Sequence, residues 1–122
     1  MPLISIVDDD EHVREATRGF IMSLGYAAET FASAEAFLKS DRVHDTACLL
    51  SDIQMPGVNG LELQRRLTEQ GYLLPIIFIT AFPGPKVRAQ AMAAGALGFL
   101  VKPFNDEELV ACLDAALARR DD

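Results

Sequence analysis

Short apolar runs of strand length recur along the chain: LISIV at 3–7, AETF at 28–31, CLLS at 48–51, IIFIT at 76–80 and LGFLV at 97–101. Three of them are nearly continuous in apolar residues, the pattern of parallel strands covered on both faces. Segments with helical period separate them. Val13, Thr17, Phe20 and Leu24 make one stripe, which Gly25 stops. Ser33 is a candidate N-cap for a shorter helix anchored by Phe37 and Leu38. Leu61, Leu63 and Leu67 face inward before Gly71 ends a third helix; Val87, Ala91 and Met92 serve a fourth, closed by Gly95. Leu109, Val110, Leu113 and Leu117 give the fifth. Strands and helices that alternate in this way predict an α/β fold, a doubly wound five-stranded parallel sheet flanked by five helices.

A doubly wound sheet binds ligands outside the carboxyl ends of its strands, where the strand order reverses. Asp8 and Asp9 follow the first predicted strand, Asp52 the third, Thr80 ends the fourth and Lys102 the fifth. A strand order of 2-1-3-4-5 brings all of them to one mouth.

The carboxylates there need an explanation. Two unit charges about 4 Å apart repel by roughly 4 kcal/mol at an effective dielectric near 20. Asp8, Asp9 and Asp52 therefore call for a cation, whereas Asp10 is better read as the cap of the first helix, with Glu11 complementing its dipole. An all-oxygen donor set with no converging His or Cys favours a hard ion such as Mg²⁺. In SDIQMPGVNG, 51–60, Met55-Pro56, Gly57 and Gly60 force a loop that fixes Asp52 at the sheet edge. A carboxylate fixed beside a divalent cation can attack a phosphoryl group and become an aspartyl phosphate. The Thr80 hydroxyl and the Lys102 ammonium have the chemistry to meet phosphoryl oxygens, and the Lys102–Pro103 bond is a candidate for the cis form.

Composition narrows the class. The 122 residues fit one domain, and 50% hydrophobic with 24% charged residues is the balance of a folded chain. A formal charge of −7 argues against direct nucleic-acid binding, which needs clustered Lys and Arg. No apolar run reaches the roughly 18 residues of a membrane span, and MPLISIVDDD lacks the basic start of a secretory signal. Cys48 and Cys112 lie in apolar contexts without a CxxC pairing and read as reduced core thiols, which points to the cytoplasm.

Four segments, IVDDD, SDIQMPGVNG, FITAF and GFLVKPF, resemble in order and spacing the signature segments of response-regulator receiver domains of two-component signalling. YAAETFASAEAFL is most similar to receivers of the FixJ type. The resemblance covers the whole chain, 1–122, and implies a flavodoxin-like fold. It implies that Asp52 is the phosphoacceptor, that Asp9 ligates Mg²⁺ directly, and that Asp8 helps hold the ion largely through water. The Gln54 backbone carbonyl would complete the protein ligands. Thr80 and Lys102 would contact the phosphoryl group, and Phe99 would be the aromatic switch residue that follows Thr80. A sensor histidine kinase or a phosphotransfer protein would supply the phosphate, docking near the first helix. A C-terminal helix-turn-helix effector domain outside this chain would carry the output. The domain would catalyse its own Mg²⁺-dependent phosphorylation and dephosphorylation, without being an enzyme acting on a separate substrate. On phosphorylation it would dimerise, or dock its effector differently, through the fourth helix, fifth strand and fifth helix.

Two features depart from the pattern. FPGPK, 82–86, puts two prolines and a glycine where the fourth helix should begin, which delays its start. Phe99 lacks the hydroxyl of the commoner tyrosine, so a switch there rests on packing. Two rival readings fare worse. Asp8 and Asp10 fit the Asp-x-Asp of a haloacid-dehalogenase-type phosphohydrolase, but Asp106 and Asp114 do not supply the second acidic pair after a strand. A pseudo-receiver that only binds partners would lack the acceptor or the lysine, and both are present.

Overall fold

The computed structural model describes residues 2–120; residues 1, 121 and 122 of the expected 1–122 domain lie outside it. Five strands, β1 (Leu3–Val7), β2 (Ala27–Phe31), β3 (Thr46–Asp52), β4 (Ile76–Thr80) and β5 (Gly98–Val101), alternate with five helices. The helices are α1 (Glu11–Ser23), α2 (Ala34–Lys39), α3 (Gly60–Glu69), α4 (Pro85–Ala93) and α5 (Asp106–Arg120). All strand pairs are parallel, as the alternation predicts, and the order is β2-β1-β3-β4-β5, the one that brings the polar strand ends to one mouth.

Each sheet face carries its own apolar cluster. Phe37, Leu49, Leu63, Leu67, Phe78 and Ala91 lie on the side of α2, α3 and α4. Ile4, Ile6, Ile21, Leu50, Ile77, Leu109 and Leu113 lie on the side of α1 and α5. Adjacent residues such as Leu49 and Leu50 serve opposite clusters, as the period of two requires. Fully burying one such side chain contributes about 1.5–3 kcal/mol. Cys48 is buried, Cys112 is half-buried, and both are free thiols.

Local chemistry sets the helix ends. Asp10 Oδ1 accepts from the backbone N–H groups of His12 (2.9 Å) and Val13 (3.2 Å), which is the predicted cap of α1. Ser33 caps α2 and Asn59 caps α3 in the same way. In α4, Pro85 occupies the first helical position and Gly84, the N-cap residue, offers no side chain to cap it.

Two expectations fail. Leu24 is the C-cap of α1 and is 37% exposed, while Ile21 is the residue of that helix that enters the core. A periodic stripe extended past the last helical residue follows a phase the backbone no longer keeps. Met92 is 41% exposed, because α4 turns only Ala91 fully inward, with Val87 packed at the margin.

Gly60 positions the site most directly. It starts α3, and a Cβ there would lie 2.5 Å from the Asp52 carbonyl oxygen, 3.0 Å from Ile53 Cα and 3.0 Å from the Phe78 ring. The first two are backbone atoms and cannot swing aside. Gly60→Ala is expected to destabilise the fold by roughly 1–3 kcal/mol in urea unfolding. Gly19→Ala is its control: in mid-α1 a Cβ meets nothing within 4 Å, so removing the glycine should stabilise by up to about 1 kcal/mol. Equal effects of the two substitutions would refute the packing argument.

Candidate functional site

Strand register brings the polar residues together. Val7 pairs with Ser51, so Asp8 and Asp52 follow neighbouring strand positions at the crevice between β1 and β3. Asp52 pairs with Ile79, and Thr80 with Val101, which sets Thr80 and Lys102 at the adjacent strand ends. The Lys102 backbone N–H donates to the Thr80 carbonyl at 2.8 Å, and the Lys102–Pro103 bond is cis, as expected.

The Lys102 ammonium sits 3.2 Å from Asp52 Oδ2 and 3.4 Å from Asp8 Oδ2. The three side chains are 24%, 11% and 7% exposed respectively, so water screens them only in part. The other Asp52 oxygen, Oδ1, accepts from the backbone N–H groups of Ile53 (2.7 Å) and Gln54 (3.2 Å). Oδ2, which accepts only from the Lys102 ammonium, keeps a lone pair free. Asp8 Oδ1 accepts from the Asp10 N–H at 2.9 Å, and Arg14 donates to the Asp8 carbonyl at 3.0 Å.

Burial dominates the electrostatics of Asp8 and pushes its carboxyl above the ordinary value; the Asp52 charge adds to this, against the Asp10 N–H and the Lys102 ammonium. Burial pulls the Lys102 ammonium down, but the charges and hydrogen bonds of Asp8 and Asp52 together outweigh it and raise it. One ammonium faces three carboxylates. Asp8, Asp9 and Asp52 each offer an oxygen within 4.8 Å of the others, and Asp9 is solvent-exposed. An all-oxygen set of this size suits a hard cation that keeps several waters, so the residues fit the metal implied by the sequence.

Thr80 is buried. Its hydroxyl donates to Gln54 Oε1 at 2.5 Å and accepts from the Phe82 N–H at 3.1 Å. Phe99, one position past the start of β5, is half-buried against the α2–α3–α4 cluster, and the Arg88 guanidinium of α4 lies 5.8 Å from its ring centroid. Asp8, Asp9, Asp52, Gln54, Thr80 and Lys102 thus fall at or just past the carboxyl ends of their strands, whereas Phe99 lies near the start of β5. The Gln54 side chain has no signal in the sequence, where only its backbone carbonyl is expected to matter. Its contact with Thr80 spans 26 positions, and no periodicity or motif announces such a pair.

The response regulator receiver domain model matches residues 4–114. The chain belongs to that family. It is a receiver domain of two-component response regulators, and its curated relatives include the response regulator protein TodT of Pseudomonas putida, 41% identical over 115 residues, 94% of this chain and 51% of TodT. The transcriptional regulatory protein FixJ of Azorhizobium caulinodans is 36% identical over 116 residues, 95% of this chain and 55% of FixJ. The solved structure of the response regulator StyR superposes with a TM-score of 0.91 at 40% identity, covering 98% of this receiver and 61% of that chain. The receiver thus spans about half the length of the curated relatives it matches.

The raised carboxyl of Asp8 generates a pH test in metal-free buffer. Because the folded state holds Asp8 above its ordinary value, the stability tied to the protonated carboxyl is fully present below that ordinary value. It is lost as pH rises through the folded value. Asp8→Asn fixes the uncharged form and keeps an oxygen for the Asp10 N–H. The variant should melt above the parent at pH 7, and the gap should close in acid. A gap that persists or widens in acid would count against burial as the cause.

Proposed function

We propose that this receiver takes a phosphoryl group from a histidine kinase onto Asp52, with Mg²⁺ held by Asp8, Asp9, Asp52 and the Gln54 backbone carbonyl. The observation that carries this reading is the state of the Asp52 carboxylate. Two backbone N–H groups pin Oδ1, while Oδ2 faces the Lys102 ammonium inside an acidic cluster. An electron pair of Oδ2 forms the new O–P bond as the P–N bond of phosphohistidine breaks, and that bonding pair returns to the imidazole nitrogen. The metal would supply charge neutralisation on the phosphoryl oxygens. Lys102 orients the acceptor before transfer and meets a phosphoryl oxygen after it, and the Thr80 hydroxyl donates to another. Return of the group to water would use the same residues.

Output follows from the neighbours of Thr80. As its hydroxyl turns to the phosphoryl group, Phe99 turns in and the surface formed by α4, β5 and α5 is rearranged. That face would then dimerise or dock an effector domain, a helix-turn-helix module in relatives of the FixJ type, and thereby control transcription. The charge of −7 supports leaving DNA contacts to that module. The setting proposed is the cytoplasm, and among the described residues no helix is long and apolar enough to cross a membrane.

Incubation with acetyl phosphate and Mg²⁺ should add one phosphoryl mass, and Asp52→Asn should abolish it; full labelling of the Asn variant would sink the assignment. Mg²⁺ should also raise the melting temperature, since a ligand at 100 times its Kd stabilises by about 2.7 kcal/mol. Asp9→Ala should remove both that rise and the labelling. An unchanged Mg²⁺ response in Asp9→Ala would eliminate Asp9 as a ligand.

A further inference from the structure

We infer that the side chain of Gln54 is a latch on the switch hydroxyl: it holds Thr80 in the resting state and so opposes phosphorylation. This rests on the acceptor reading above and assigns the Gln54 side chain a role separate from its backbone carbonyl.

A threonine hydroxyl has one proton to donate. In the structure that proton goes to Gln54 Oε1, while the oxygen accepts from the Phe82 N–H. The buried Thr80 hydroxyl is therefore satisfied in both directions, and the Phe82 N–H hangs the start of the β4–α4 loop on it. To donate to a phosphoryl oxygen, Thr80 must first withdraw its proton from Gln54.

The two partners do not lose equally. Gln54 is exposed, so its amide is solvated by water once released. Thr80 is buried, so without Gln54 its proton has no acceptor in the resting position and that position is disfavoured. Removing the Gln54 acceptor thus destabilises the resting state selectively. It leaves the phosphoryl-bound state, in which Thr80 has a new partner, nearly untouched. A ligand bound to one of two states gains apparent affinity when the other is weakened. One net hydrogen bond of about 0.5–1.5 kcal/mol corresponds to an effect of roughly two- to tenfold.

The test uses the 122-residue chain with beryllium fluoride and Mg²⁺ as the phosphoryl mimic, read by NMR titration. Gln54→Met keeps the length of the side chain and removes the amide oxygen, and Gln54→Ala is the second variant in case Met packs badly. Both should bind the mimic about two- to tenfold more tightly than the parent. Their Thr80 methyl resonance, without the mimic, should move toward its mimic-bound position. Gln54→Glu keeps an acceptor for the hydroxyl and should show no gain. In a Thr80→Val background, which has no proton to latch, Gln54→Met should change the affinity by less than 1.5-fold, the limit of reading a titration. An unchanged affinity in Gln54→Met, a gain in Gln54→Glu, or the full gain persisting with Thr80→Val would each overturn the latch while leaving Asp52 as acceptor. A parent that fails to bind the mimic would overturn the acceptor reading and the latch with it.

Discussion

The Lys102 ammonium lodged between Asp8 and Asp52 is the interaction on which the site depends. It joins the ends of three strands, β1, β3 and β5, that share no tight turn and meet only through sheet register. One positive charge cannot neutralise three carboxylates, so it settles part of the repulsion and leaves the rest. Lysine suits this place better than arginine would. Its ammonium is a point charge on a flexible stem, able to move from one oxygen to another without breaking a bidentate geometry. The same two carboxylates raise its proton affinity, which keeps it charged at neutral pH.

The surroundings divide into a firmly held half and a loosely held one. On the acceptor side, Gly60 packs directly on the backbone of Asp52 and Ile53, its N–H donates to the Ile53 carbonyl, and Asn59 caps α3. Gly57, at φ +76°, makes the turn that delivers this loop. On the other side α4 has no side-chain cap, and Phe82 in the loop before it is 71% exposed. The far end of α4 is tied, because buried Gln64 of α3 donates to the Ala91 carbonyl. A helix fastened at its last turn and loose at its first can pivot, and the loose end is the one that hangs from Thr80.

Legibility in the sequence follows the same division. Asp8, Asp52, Thr80 and Lys102 were readable because each ends an apolar run, and parallel topology sends all such ends to one edge. The caps at Asp10 and Ser33 were readable because they act over two or three residues. Ile21, Met92 and the Gln54 side chain were not. The first two depend on the helix phase at a terminus, which fixes a face only once the packing partner is known. The third is a single hydrogen bond between the β3–α3 loop and the last residue of β4, at distant positions, and its energy is too small to constrain composition around it.

Smallness of this kind is what a switch requires. On the function proposed here, the resting state is held by contacts such as the Thr80–Gln54 hydrogen bond and the Arg88 cation over Phe99, each worth about 0.5–1.5 kcal/mol. Reversing a two-state equilibrium from 1:99 to 99:1 takes about 5.5 kcal/mol of differential affinity. A few charge-assisted hydrogen bonds from Lys102 and Thr80 to a phosphoryl group are of that order, at about 1.5–3 kcal/mol each. Had the resting state been locked by a buried ion pair on Thr80's side of the site, one phosphoryl group could not overturn it. The phenyl ring at position 99 fits the same economy of force, since a ring without a hydroxyl moves between half-buried and buried positions without stranding a polar atom. Strong interactions therefore gather around Asp52, where geometry must not change, and weak ones around Thr80, where it must.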